Sequence, residues 1–276
     1  SQEGCGLLTL TGEGSLNITV TGGNAIFVNT GSLLIKDTTV TVSSGASDAC
    51  AVTADYDIEI SGSTLESAIA NGNAIFARGD LKIENSNVTT SNDNKNDDGY
   101  PAIWCKGDIT INGGQLKSTC KGGTALGAAS TISITGCTLE SASTDGNAIY
   151  TPGDLKIENS NVTTNSAGNF PAIWSDGDIT INGGQLKSTC TGSDALGAAG
   201  TLSITNCNVE NKGASALYSQ GEMTLTGGSI TAEAEYNAII SNSAMTITNA
   251  TVKATAQKYN ALRASDVMKI DGGWVK

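Results

Sequence analysis

The chain has 276 residues with 34 Gly and no His, and its formal net charge is −12, from 15 Lys plus Arg against 27 Asp plus Glu. This acidic balance argues against binding to nucleic acid or to an anionic membrane surface. No run of about 18 apolar residues is present that could insert into a membrane as a helix. Without His and without a CxxC pair, a zinc site is not expected.

A repeat begins at Ala25, after a segment (1–24) that we interpret as an N-terminal cap or a partial first coil. An Ala followed by Ile, Leu or Val recurs at intervals of 21–28 residues through the rest of the chain. Its positions are Ala25, Ala51, Ala74, Ala102, Ala125, Ala148, Ala172, Ala195, Ala216, Ala238 and Ala261.

Each repeat contains an apolar-x-apolar pair such as Ile109/Ile111, followed five residues later by another apolar residue such as Leu116. This alternation with period two predicts three short strands per repeat. Two residues after the pair, every repeat has Gly, Asn or Asp, the residue types that enter the left-handed backbone region at low cost. These eleven corner positions are Asp37, Gly62, Asn85, Gly113, Gly136, Asn159, Gly183, Asn206, Gly227, Asn249 and Gly272.

The repeat length and the three strands predict an all-β chain that forms one right-handed parallel β-helix domain (1–276) of about 11 coils. The coils run from 25 to 276. The segment "GDITINGGQLKSTC" occurs unchanged at 107–120 and at 177–190, and "LKIENSNVTT" occurs at 81–90 and at 155–164. Three coils were therefore duplicated together, and the exact repeat reflects architecture rather than chemistry.

The seven cysteines are expected to be mostly buried free thiols. Cys120 and Cys190 occupy equivalent places, as do Cys137 and Cys207, which indicates packing positions. Cys5 with Cys50 is the first pair to test for a disulfide.

Aromatic residues cluster at one outward position of the repeat, two residues after the Ala. Six of the eleven residues there are aromatic, and a second set lies two residues before the Ala. Exposed aromatic rings in a row can stack on the apolar faces of sugar rings, with Gly127 and Gly197 expected to leave shallow gaps. Strand preference or a contact between copies would explain the clustering equally well. The candidate carbohydrate-binding residues are Phe76, Trp104, Tyr150, Trp174, Tyr218, Tyr100 and Phe170.

Carboxylates also recur in a common frame, at Asp80, Asp108, Asp154 and Asp178, with Asp55 and Glu222 near it. Such a ladder can hold calcium, although most ladders of this kind only solvate a turn. The loop Asn94-x-Asn96-x-Asp98-Gly99 is a degenerate match to a calcium loop. No catalytic residue is assigned, since His is absent and no pair of carboxylates, such as Asp97-Asp98, converges on a cleft.

The segments "GDLKIENSNVTT" and "GDITINGGQLKST" resemble repeats of the cellulose- and acid-sugar-binding β-helix family of clostridia and related gut bacteria, and more broadly pectate-lyase-like β-helices. The resemblance implies a secreted or cell-surface protein that binds plant polysaccharide and holds calcium at Asp-Gly-Ile turns. Among the matching triplets, only Asp194-Ala195-Leu196 keeps the acid. No metal or other cofactor is therefore assigned, and calcium stays open.

From the sequence we predict a non-catalytic, extracellular protein whose partner is a polysaccharide or a cell-surface glycan. An adhesive or structural stalk on the cell surface is the first alternative. A polysaccharide lyase or glycoside hydrolase on the same fold is the second.

Overall fold

The computed structural model describes residues 6–93 and 99–276. Over these residues the chain consists of strands and turns, and no helix there could cross a membrane. The strands, numbered β1–β35 along the chain, form three parallel sheets of 12, 12 and 11 strands. Successive turns contribute one strand to each sheet, so the chain winds as a solenoid.

Sheet one contains β1 (Gly6–Thr11), β4 (Gly31–Lys36), β7 (Ile58–Ser61), β10 (Leu81–Glu84), β13 (Ile109–Asn112), β16 (Ile132–Thr135), β19 (Leu155–Glu158), β22 (Ile179–Asn182), β25 (Leu202–Thr205), β28 (Met223–Thr226), β31 (Met245–Thr248) and β34 (Met268–Asp271). Sheet two contains β2 (Ser15–Val20), β5 (Thr39–Ser44), β8 (Thr64–Ile69), β11 (Asn87–Asn92), β14 (Gln115–Cys120), β17 (Thr138–Ser143), β20 (Asn161–Ser166), β23 (Gln185–Cys190), β26 (Asn208–Gly213), β29 (Ser229–Ala234), β32 (Thr251–Ala256) and β35 (Trp274–Val275). Sheet three contains β3 (Ile26–Val28), β6 (Ala49–Ala54), β9 (Gly72–Ala77), β12 (Ile103–Cys105), β15 (Leu126–Ala128), β18 (Ile149–Thr151), β21 (Ile173–Ser175), β24 (Leu196–Ala198), β27 (Leu217–Ser219), β30 (Ile239–Ser241) and β33 (Leu262–Ala264).

The prediction of a parallel β-solenoid with three strands per coil is confirmed. The structure has about twelve turns rather than eleven, because β1 and β2 already pair with β4 and β5 ahead of Ala25. The register follows the repeat, so that Leu81 lies opposite Ile109 and Ile83 lies opposite Ile111. Stacking these aliphatic files buries one continuous core, which a single turn could not do alone.

The eleven corner residues predicted to be left-handed are all left-handed. Their φ angles lie between 47° at Asn85 and 70° at Gly183 and Gly272. The corner therefore repeats in the same conformation on every turn, which keeps sheet one and sheet two in step along the solenoid.

A file of buried hydroxyl groups on the inner side of sheet two was not foreseen. Ser118 Oγ donates to the carbonyl oxygen of Ala125 at 2.6 Å, and Ser188 Oγ donates to that of Ala195 at 2.7 Å. Thr90 Oγ1 donates to Ser118 Oγ at 2.8 Å. These bonds satisfy polar groups inside the core and tie sheet two to the residues that lead into sheet three.

The cysteine prediction is confirmed for the described residues. Cys105, Cys120, Cys137, Cys190 and Cys207 are buried free thiols, and Cys50 is a partly buried one. Burial raises the pKa of Cys105 to about 12, so this thiol is a neutral packing group at ordinary pH. Cys5, and with it the suggested Cys5–Cys50 pair, lies outside the described residues.

Candidate functional site

One file of outward side chains on sheet three carries six aromatic rings, which we call the aromatic row. Hydrogen-bonded register places consecutive members of the file opposite one another on successive turns. The aromatic row consists of Phe27, Phe76, Trp104, Tyr150, Trp174 and Tyr218, with Thr53, Gly127 and Gly197 as the other members of the file up to Tyr218.

The rings of the row are neither buried in the core nor fully free. Phe27 is 54% exposed, and the other five rings are half-buried. Thr53, in the same file, is only 6% exposed. The side chains of the row therefore lie on the outer surface of sheet three, with part of each ring open to solvent.

The two glycines of the file do not leave the gaps that the sequence suggested. A Cβ atom on Gly127 would lie 2.7 Å from Cζ3 of Trp104, and one on Gly197 would lie 2.5 Å from Cζ3 of Trp174. Each indole therefore leans over the glycine of the next turn and fills the space above it. The glycines act as seats for the tryptophans, because any side chain there would push the indole away.

Asp176 joins two rings of the row. The hydroxyl of Tyr150 donates to Asp176 Oδ2 at 2.9 Å, and Nε1 of Trp174 donates to Asp176 Oδ1 at 2.7 Å. Partial burial and the neighbouring Asp176 carboxylate raise the pKa of Tyr150, so its hydroxyl remains a donor at ordinary pH.

Tyr218 completes this group two turns beyond Trp174. The rings of Trp174 and Tyr218 stack with centroids 6.0 Å apart and an angle of 21° between their planes. Nδ2 of Asn242 donates to the Tyr218 hydroxyl at 3.1 Å. Tyr150, Trp174 and Tyr218 are thus held together, and we call them the tethered cluster.

Tyr100 and Phe170 lie outside the aromatic row, on the segments that lead into sheet three. Tyr100 is half-buried and its hydroxyl donates to Asp48 Oδ1 at 3.2 Å, whereas Phe170 is 53% exposed. Tyr236 and Tyr259, at the same place in later turns, stack on one another with centroids 5.8 Å apart. The seven candidate residues therefore divide into five on the row and two beside it.

The carboxylate ladder binds the protein's own backbone. Oδ1 of Asp80 accepts from the N–H of Asp108, Oδ1 of Asp108 accepts from that of Thr131, and Oδ1 of Asp178 accepts from that of Thr201. Asp57 extends the ladder by one turn, since its Oδ1 accepts from the N–H of Asp80 at 2.9 Å. Asp55, near the frame, accepts from the N–H of Thr30 at 3.1 Å and forms an ion pair with Arg78 at 3.3 Å.

These bonds bear on the calcium that the sequence resemblance implies. Within residues 6–93 and 99–276, no group of three or more His, Cys, Asp or Glu side chains could hold a metal ion. Asp194, the one acid kept at the matching turns, accepts from the N–H of Ser215 at 3.0 Å, and burial raises its pKa. The described residues therefore do not fit the implied site, while Asn94, Asn96, Asp97 and Asp98 lie outside them.

The outer face of sheet two carries shallow grooves of about 380 and 290 Å³ at the two copies of the duplicated segment. Ion pairs cross them, from Lys187 to Glu210 at 3.7 Å and from Lys117 to Glu140 at 3.2 Å. The exposed side chains of the lining are polar, and neither lining includes an aromatic residue. The aromatic row is therefore the better candidate site.

The fold and the row together define a β-solenoid whose outer face presents aligned aromatic rings. The family described as "Carbohydrate-binding domain-containing protein" matches residues 6–212 and 206–276, and the chain belongs to this family. The two matches overlap and together span all described residues, in keeping with a repeating structure. No curated protein and no solved structure matches the chain.

Proposed function

We propose that the protein is a non-catalytic, extracellular module that binds polysaccharide through the aromatic row. The alignment of six rings in one hydrogen-bonded file carries this proposal. A row of partly open rings on a rigid sheet offers a pyranose chain several apolar platforms in line, with little conformational entropy to lose on binding. Family membership gives carbohydrate as the class of ligand.

The chemistry of the acids supports binding without catalysis. Glycoside hydrolysis uses two carboxyl groups that face a sugar from both sides. Here the carboxylates of Asp57, Asp80, Asp108 and Asp178 accept hydrogen bonds from the backbone of the next turn. We propose an extracellular location, because that is where a protein encounters polysaccharide. Labelling of intact producing cells with an antibody against the protein tests this location.

Replacing both row tryptophans tests the function. We expect Trp104→Ala combined with Trp174→Ala to abolish most retention on insoluble polysaccharide and most signals on a glycan array, because the two largest platforms are removed. Trp274→Ala is the matched control, since Trp274 is 53% exposed but lies on sheet two opposite Thr251.

The parent, the double variant and the control should have similar circular dichroism spectra and melting temperatures. If the double variant is retained on polysaccharide as strongly as the parent, the aromatic row is not the binding site. A structural or adhesive stalk is then the better account of the protein. Release of reducing or unsaturated sugars from any polysaccharide tested would contradict the non-catalytic part of the proposal.

A further inference from the structure

The two row tryptophans lie in copies of the same segment that differ in their surroundings. Residues 101–104 and 171–174 both read Pro-Ala-Ile-Trp, but Trp104 is followed by Cys105-Lys106 and Trp174 by Ser175-Asp176. The duplication thus places a base beside one tryptophan and an acid at the equivalent position beside the other.

The acid changes what holds the ring. Each oxygen of the Asp176 carboxylate accepts from a different ring, one from Trp174 Nε1 and the other from the Tyr150 hydroxyl, so a single side chain fixes two platforms on adjacent turns. Stacking on Tyr218 fixes the far side of Trp174. A ring held at several points loses less freedom when a sugar stacks on it.

The first copy lacks these contacts. Lys106 offers no acceptor for an indole N–H, and Phe76, on the turn before Trp104, has no hydroxyl to donate. Within the described residues, Nε1 of Trp104 has no hydrogen-bond partner, and no aromatic ring stacks on Trp104 in the way that Tyr218 stacks on Trp174. Trp104 is therefore supported mainly by its seat on Gly127.

Charge also separates the two copies. The segments that pass the tethered cluster are 146–154, 168–178, 192–201 and 213–222, and they contain no Lys or Arg. They do contain five acids, which are Asp154, Asp176, Asp178, Asp194 and Glu222. An acidic polysaccharide bound along this surface would be repelled by these carboxylates, whereas a neutral polysaccharide would not be.

We propose that Tyr150, Trp174 and Tyr218 form one subsite for neutral glycan chains, and that Asp176 is its positioning residue. This inference rests on the proposed function of the row and adds which rings carry it and which sugars they take. Trp104 and Phe76 form a separate, weaker platform beside Lys106 and Arg78.

Exchanging the two charged residues tests the proposal. Calorimetry would compare a neutral probe, soluble cello-oligosaccharides of increasing length, with an acidic one, oligogalacturonate. We expect Asp176→Lys and Asp176→Asn to weaken binding of the neutral probe about fivefold, and Trp174→Ala to weaken it about tenfold. Lys106→Asp, the reciprocal change in the other copy, supplies an acceptor beside the indole of Trp104 and should not weaken binding of the neutral probe, and Trp104→Ala should cost less than Trp174→Ala.

A spectroscopic measurement separates positioning from a merely structural role. Asn at position 176 supplies one acceptor oxygen where Asp supplies two, so Asp176→Asn should shift the indole N–H resonance of Trp174 while the melting temperature stays within about a degree. Asp176→Glu, which keeps both acceptors, should restore part of the affinity.

The outcomes distinguish this inference from the function on which it rests. If Trp174→Ala weakens binding but the Asp176 variants bind like the parent, the row is functional and the positioning role is wrong. Equal losses for Trp104→Ala and Trp174→Ala would overturn the separate subsite, and equal affinity of the parent for both probes would overturn the preference for neutral chains. If no tryptophan variant changes binding, the proposed function itself fails.

Discussion

Asn and Asp at the left-handed corner lie above a glycine of the following turn. Oδ1 of Asn159 is only 2.5 Å from the position that a Cβ atom on Gly183 would take, and Oδ1 of Asn85 is 2.4 Å from that on Gly113. The same holds for Asp37 with Gly62. Glycine is therefore required for two reasons. It adopts a positive φ without strain, and its missing Cβ leaves room for the Asn or Asp side chain of the preceding turn.

Gly183→Ala should destabilise the protein more than Gly136→Ala, although both residues are left-handed, with φ of 70° and 60°. Both substitutions place Ala in that region, which costs about 1 kcal/mol. Only at Gly183 does the new Cβ meet Asn159, since nothing lies within 4 Å of a Cβ on Gly136. The difference between the urea unfolding midpoints of the two variants measures the clash with Asn159. Equal losses of stability in the two variants would show that there is no such clash. Asn159→Gly combined with Gly183→Ala should remove the excess loss.

At this scale the sequence predicts backbone conformation better than side-chain contacts. The eleven corners were predictable because only Gly, Asn and Asp enter the left-handed region cheaply. The aromatic row was predictable because the repeat fixes which side chains share a file. The bonds of Asp176 to Tyr150 and Trp174 were not, because the first joins side chains on different turns and both depend on side-chain rotamers. The seats on Gly127 and Gly197 were missed for the same reason.

The carboxylate ladder holds the starts of the strands of sheet one. Each carboxylate lies just before one strand and accepts from the backbone just before the strand of the next turn. Asp108, just before β13, accepts from the N–H and the hydroxyl of Thr131, just before β16, both at 2.9 Å. Hydrogen bonds from Ser130 and from Thr131 hold the pKa of the Asp108 carboxyl below its usual value. The frame of the ladder was visible in the sequence, but its use of backbone N–H groups appears only when turns are stacked.

Asp108→Asn should lower stability at neutral pH, and the difference from the parent should shrink in acid. The folded-state pKa of Asp108 is depressed, so its carboxylate stabilises the fold above the unfolded-state pKa of about 4. That contribution is lost as the pH falls through the folded-state pKa, whereas Asn does not titrate. Urea unfolding of both proteins from pH 7 to pH 3 measures the difference, and the carboxyl pKa can be read by NMR. A difference independent of pH would contradict the role of the charge.

For the whole molecule, the duplication has a period of 70 residues, from Gly107 to Gly177, and this equals three turns of the solenoid. Gly107 and its strand β13 stack on the turn of Asp80, and Gly177 with β22 stacks on the turn of Asp154. The sequences beneath them, 79–90 and 153–164, are identical. The interface between turns is therefore the same at both places, and the stability of such a chain is approximately a sum over neighbouring turns.

Removing residues 107–176 should therefore leave a folded solenoid that is shorter by three turns. The deletion joins Lys106 to Gly177 and places 177–190 on 79–90, where the identical segment 107–120 lies in the parent. Far-UV circular dichroism should keep its β-sheet form, and the maximum dimension from small-angle scattering should fall by about 14 Å, three strand spacings. An unfolded deletion protein, or a folded one with an unchanged maximum dimension, would contradict the equivalence of the turns.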